Sequence, residues 1–239
     1  MQYSKIIIII LNFFDYFQQK KIIKFFKKNF KNEIIIFDIG SHYGETIRLF
    51  YKNFKIKEFH CFEASPLNFK ILFKNVKKFN FKINYKLNSL GVGSSNTNTF
   101  INQTEESSSS TINDLNLNSK YLQKKLKILN IKKIDKFYKR IPIKLITLDK
   151  YIFEKRQKKI DILKIDTEGF ELNVIKGLKL NHKIIKFIYF EHHYDDMIKK
   201  NYTFNDINLI LKQFGFKKVF KTKMLFRKSF EYIYKNSFF

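Results

Sequence analysis

The chain of 239 residues is the size of one ordinary domain, and its 44% hydrophobic content, with 29 phenylalanines, excludes a disordered tail or linker. Its formal net charge of +26 invites a nucleic-acid reading, but only Arg48, Arg140, Arg156 and Arg227 are arginines. The other 43 basic residues are lysines spread along the whole sequence, as the codon bias of a very A+T-rich genome produces, so the charge predicts salt-dependent adhesion to polyanions rather than a function.

The chain opens on "SKIIIIILNFF", which resembles a short signal core but is followed by no A-x-A-like cleavage site. No run reaches the ~18 consecutive apolar residues of a membrane span. "DYFQQKKIIKFFKKNF" then sets Phe17, Ile22, Phe25 and Phe26 among lysines, the pattern of an amphipathic helix. Such a helix either packs on the domain or lies on anionic lipid as a peripheral contact. Residues 1–32 therefore read as an N-terminal helical extension.

From Glu33 onward, strand-length apolar runs alternate with helix-period segments: strand 34–38, helix 45–54, strand 58–62, helix 67–79, strand 82–87. This rhythm predicts βαβ units and a parallel sheet covered on both faces. It breaks at "GVGSSNTNTFINQTEESSSSTINDLN", which predicts turns with a short strand near 99–102, followed by a helix over 121–129 and an extended segment at 141–147. It resumes with strand 160–166, helix 171–178, strand 184–191 and helix 204–214 closed by Gly215. Two terminal strands follow, near 217–221 and 230–234. One α/β domain over 33–239, with a polar insertion at about 94–140, accounts for the pattern. The single cysteine, Cys61, permits no disulfide within the chain and suits a reducing, cytoplasmic compartment.

"FDIGSHYGETIRLF" places Asp38, Gly40 and Gly44 in a strand-to-helix turn, where an open sheet binds ligands. Glycine lets backbone approach a ligand, and the N–H groups at the helix start suit a carboxylate. An acid at position 38 repels a pyrophosphate and welcomes an ammonium, so the methionine end of S-adenosylmethionine fits better than a dinucleotide. Glu63 ends the next strand, where an acid grips a ribose diol, and Pro66 is placed to start the following helix. "IDILKIDTEGFELNVIKGL" delivers Asp166 and Glu168 to a third strand end. If the strand stays extended there, both carboxylates point to one side. They suit three roles: orienting a hydroxyl, holding the cofactor's ammonium, or binding a divalent cation. "FEHHYDD" adds Glu191, His192 and His193 at the next strand mouth, and His192 is the expected general base.

These segments, together with "FEASPLNF", "LNSLGVGSSNTNTF", "ITLDKYI" and "IYFEHH", fall in the order seen in FkbM-type methyltransferases, which the chain resembles from about Glu33 to Phe220. The resemblance implies a Rossmann-like, seven-stranded, mostly parallel sheet with an antiparallel last strand and helices on both faces. It implies S-adenosylmethionine-dependent methyl transfer to a hydroxyl of a sugar, polysaccharide or secondary metabolite. Asp38, Gly40 and Gly44, with Ser41, His42 and Tyr43 between them, match the cofactor loop. Glu63, followed by Ala64 and Ser65, matches the ribose acid, and Asn88, Ser89 and Leu90 fall beside the adenine. Asp166 and Glu168 match the family's acidic pair, and Glu191 with His192 its next strand, as catalytic candidates. A Mg²⁺ ion that acidifies the acceptor hydroxyl is a secondary expectation, because no aspartate-rich cluster shows metal spacing. Two rival readings remain at this stage: an RNA 2′-hydroxyl methyltransferase with a catalytic lysine, and a non-catalytic domain that keeps the fold.

Overall fold

The computed structural model describes residues 17–128, 131, 137–225 and 228–239; the apolar stretch at 4–14 lies outside them. Residues 17–29 form the helix α1. β1 (Ile34–Ile39) is buried at every position, which is why it reads as a continuous apolar run rather than an alternating one. It leads through α2 (Glu45–Tyr51) to β2 (Ile56–Phe62), and α3 (Pro66–Phe79) leads on to β3 (Asn84–Asn88). The long crossover contains β4 (Gly91–Val92), β5 (Thr97–Thr104), α4 (Lys120–Ile128), β6 (Tyr138–Ile146) and α5 (Leu148–Glu154). Then come β7 (Ile160–Ile165), α6 (Glu171–Lys176), β8 (Ile185–His193), α7 (Phe204–Gln213), β9 (Phe216–Lys223) and β10 (Ser229–Asn236).

Seven strands form the main sheet in the order β3-β2-β1-β7-β8-β10-β9. β10 is inserted between β8 and β9 and runs antiparallel to both. The order reverses between β1 and β7, the switch point where open α/β sheets leave a crevice. The crossover builds a second sheet, β4-β6-β5, in which β5 and β6 pair antiparallel from Thr97↔Leu145 to Thr104↔Tyr138. The strand expected near 99–102 is thus twice as long, because its Thr/Asn-rich sequence gains a partner from a segment 40 residues away. α5 was not foreseen, although Thr147 caps it by accepting the Lys150 N–H and Leu148, Tyr151 and Ile152 share its buried face.

Successive β1 side chains enter opposite faces of the sheet. Ile35, Phe37 and Ile39 join a core with residues of α5, α6 and α7. Ile34 and Ile36 join a second core with Ile22, Ile23 and Phe26 of α1, Ile47 and Phe50 of α2, and Leu72 and Val76 of α3. α1 therefore spends its apolar stripe on the sheet. The Phe26 ring is fully buried, with its centroid 5.7 Å from that of Phe187 and 6.0 Å from that of Phe50, and Thr222 Oγ1 on β9 donates to Gln18 Oε1 at 2.6 Å. Among the described residues no helix is long and apolar enough to cross a membrane.

Because Phe26 fills space between the sheet and α2, Phe26→Ala should cost about 3–5 kcal/mol. Urea unfolding measures this directly, and a loss below about 1 kcal/mol would show that α1 is not an integral part of the core.

Candidate active site

At the carboxyl ends of β1, β2, β7 and β8 lies a cleft of about 280 Å³, which also takes in Glu231 near the start of the antiparallel β10. One half is built by the turns after β1 and β2. Gly40 has φ +87°, and a Cβ there would overlap the carbonyl oxygen of Asp166, so only glycine lets β1 and β7 meet so closely. Gly40 N and Ser41 N both donate to Phe62 O at 2.9 Å. Ser41 Oγ donates to Asp38 O at 2.8 Å and accepts from Phe62 N at 3.2 Å, locking the first turn to β2. Gly44, at φ +93°, starts α2.

Glu63 clasps the two turns from the other side. Its Oε2 accepts from His42 N at 2.8 Å and its Oε1 from Ser65 N at 2.9 Å. Burial pushes its carboxyl up to about 7, against the pull of these N–H donors. Ser65 caps α3 by accepting from Asn68 N, with Pro66 in the first helical position as expected. The His42 ring stacks on Tyr43 at 3.7 Å and reaches Glu45 at 3.2 Å and Ser107 at 2.7 Å. Ala64 and Leu90 line the cleft, whereas Asn88 turns back to donate to Cys61 O and Ser89 is exposed.

Three expectations change with the structure. Asp38 was expected to meet a ligand's ammonium. It is fully buried outside the cleft lining, and the ammonium beside it belongs to Lys164, whose Nζ lies 3.4 Å from Asp38 and 3.1 Å from Asp166. Burial raises the Asp38 carboxyl above its ordinary value and Lys164 opposes the rise. Asp166 and Glu168 do not point together, because β7 ends at Ile165 and the chain turns through positive φ at Glu168 and Gly169. Asp166 faces Lys164, while Glu168 lies 3.5 Å from His193 Nε2.

His192 does not reach the cleft. On a strand, neighbouring residues face opposite sides, and His192 is packed 3% exposed among Tyr194, Tyr202 and Phe204. Burial pushes its imidazole down to about 3, with Lys200 adding to the effect. The imidazole that meets the acids is His193, 3.4 Å from Glu191 and 3.6 Å from Asp195. Burial works against its charge, but Glu168, Glu191 and the Asp195 hydrogen bond outweigh it and raise it to about 10.

Sequence reasoning also passed over Lys164, Tyr189, Glu231 and Glu171. Glu171 Oε1 accepts from Thr167 N, Thr167 Oγ1 and Gly169 N, and its Oε2 accepts from Tyr202 OH at 2.6 Å, so it holds the turn that carries Glu168. Its signal was an acid at the first position of a helix, where backbone N–H groups lack partners. The signal for Glu231 was a carboxylate inside the apolar strand "SFEYIY".

A switch-point cleft, a glycine turn after the first strand, an acid after the second and one antiparallel strand within a seven-stranded sheet define a Rossmann-like methyltransferase fold. The family model of the methyltransferase FkbM domain matches residues 38–218, and the chain belongs to that family. Among solved structures, the methyltransferase FkbM of Methylobacillus flagellatus KT superposes with a TM-score of 0.55 at 14% identity, covering 86% of this chain. This chain spans only 44% of that one. Magnesium protoporphyrin IX methyltransferase of Synechocystis PCC 6803, solved with bound SAM, gives a TM-score of 0.53 at 8% identity over 94% of this chain and 81% of its own. At such identities the likeness is one of fold. No curated protein matches the chain.

Removing Lys164 leaves the Asp38 carboxylate buried without its counter-charge. Lys164→Met should therefore cost about 3–5 kcal/mol. Adding Asp38→Asn should return a large part of that loss in denaturant unfolding. A double variant no more stable than Lys164→Met alone would show that the pair is not coupled.

Proposed function

We propose that the chain is an S-adenosylmethionine-dependent O-methyltransferase acting on a hydroxyl of a sugar, polysaccharide or secondary metabolite. The observation that carries this reading is the charge of the cleft. In a chain of net charge +26, the described residues lining it include six acids, Glu45, Glu63, Asp166, Glu168, Glu191 and Glu231, and one lysine, Lys164. Such a lining favours a ligand bearing a sulfonium and an ammonium, and it repels a phosphate backbone, which weighs against an RNA acceptor.

The residues fit the cofactor. Each Glu63 oxygen accepts one N–H, and a carboxylate has about four lone-pair sites, so capacity remains for a ribose diol. Leu90 and Val92 offer an apolar wall for adenine, and Asp166, partly exposed, suits the ammonium. Bound there, the cofactor supplies an electrophilic methyl group. The chain's part is to hold the acceptor hydroxyl in line with it, keep water out and take up the hydroxyl proton. With His192 turned away, the carboxylates of the cleft are the groups placed for that last task.

Calorimetric titration with S-adenosylmethionine tests the cofactor half. Glu63→Ala, which removes two hydrogen bonds to a diol, should weaken binding by about 10- to 100-fold. Release of S-adenosylhomocysteine, assayed with a panel of neutral hexoses and deoxyhexoses and with RNA, tests the acceptor half: sugars should stimulate it and RNA should not. Methylation of RNA at a 2′-hydroxyl would defeat the proposal.

A further inference from the structure

Glu191 on β8 and Glu231 on β10 are direct cross-strand partners, and both face the cleft. Neighbouring carboxylates on adjacent strands cannot both ionise cheaply in a buried site. Glu231 is 7% exposed; its Oε1 accepts the Tyr189 hydroxyl, and its buried Oε2 has no hydrogen-bond partner. Of its neighbours on the cleft, Asp166 lies against Lys164 and Glu191 against His193. Glu231 Oε2 is thus a buried acceptor atom on the cleft that is left without a hydrogen bond.

The groups around Glu231 are Lys164 and Asp166 on β7, Tyr189 and Glu191 on β8, Met224 just after β9, and the uncharged Gln18 and Gln19 of α1 on the same cleft. Burial and Glu191 raise its carboxyl to about 8, while Tyr189 and Lys164 pull downward.

We propose that Glu191 and Glu231 share one proton in the resting cleft, release it when the sulfonium cofactor binds, and thereby present the carboxylate that takes the acceptor's proton. This rests on the cofactor reading above. The sign follows from electrostatics, since a cation entering beside the pair favours its ionised form. In the transfer itself, the C–S bond breaks with its electron pair staying on sulfur, which becomes a neutral thioether. The C–O bond forms, the O–H bond breaks and the proton passes to Glu231 Oε2. One positive charge is lost at sulfur and one negative charge at the carboxylate, so charge balances. The protonated pair left behind is the resting state, ready to release its proton to solvent when the next cofactor arrives.

Titration with S-adenosylmethionine at pH 7, in buffers of different ionisation enthalpy, counts the protons released per cofactor bound. The wild type should release protons, and its affinity should rise between pH 6 and 8 by up to about tenfold per pH unit for each proton released. Burial also raises the Glu63 and Glu168 carboxyls to about 7, so the diagnostic is the difference on Glu231→Gln, which should release fewer protons, by up to one. Tyr189→Phe removes the hydrogen bond that favours ionised Glu231, so it should keep the proton count but move the midpoint to higher pH. A Glu231→Gln protein that releases as many protons as wild type, or a wild type that binds without releasing any, overturns the proposal while leaving the cofactor reading standing. If Glu231→Gln does not fold, an unshifted midpoint in Tyr189→Phe overturns it instead. A folded wild type that does not bind the cofactor defeats both.

Discussion

The contact on which the rest of the structure depends is the one between Gly40 and the Asp166 carbonyl, where β1 and β7 meet at the switch point. Because no side chain intervenes, the turn after β1 and the turn after β7 are fixed against one another by backbone alone. Asp166 N donates to Ile39 O at 2.9 Å, carrying the ladder one residue past the end of β7. Beneath that joint the Lys164 ammonium spans Asp38 and Asp166, so the two central strands share one buried counter-charge. Two acids of the cleft take their position from this joint, Glu63 through Phe62 and Ser41, and Glu168 through the turn that Glu171 holds.

Charge is sorted by the two ends of the sheet. The carboxyl ends carry the acidic cleft. At the opposite end a broad hollow is lined by Lys31, Lys55, Lys57, Lys86, Lys155 and Lys158, among others. A composition that places lysine along the whole sequence would put lysines in both places unless the cleft excluded them. Near six acids a second buried ammonium would be attracted, yet it would also neutralise the field that a cationic ligand needs. Limiting the cleft to the single lysine Lys164 is therefore the stronger functional signal, and it is invisible in the net charge.

The half of the site made from local sequence was legible in advance. A strand, a glycine turn and a helix start within one dozen residues, so "FDIGSHYG" discloses its own geometry, and the Glu63-Ala64-Ser65-Pro66 turn does the same. The other half depends on facts that sequence spacing does not carry. Whether His192 or His193 meets the acids beside the cleft is a matter of one residue of strand parity, and parity was set by which face Phe187 and Tyr189 bury against α1 and α2. Asp166 and Glu168 were read as a pair on an extended chain, but the left-handed turn at Glu168 separates them. Glu231 becomes visible only once β10 is known to lie beside β8 rather than at the sheet edge, because that insertion sets it opposite Glu191.

The same division has a consequence for specificity. The turns that suit the cofactor come from residues 39–92 and are braced by backbone hydrogen bonds, which tolerate little change. The opposite wall comes from distant parts of the chain: Gln18, Gln19 and Ile22 on α1, Tyr189 and Glu191 on β8, Met224 after β9 and Glu231 on β10. α1 reaches it because its apolar face is seated on the sheet and Gln18 is tied to Thr222, not because of any contact with the glycine turn. On the proposed reading this wall meets the acceptor, and a small shift of α1 would reshape it without disturbing Glu63 or Gly40. Cofactor recognition and acceptor choice are then physically separable: the first is held by backbone at the switch point, the second by side chains of an N-terminal helix and three C-terminal strands.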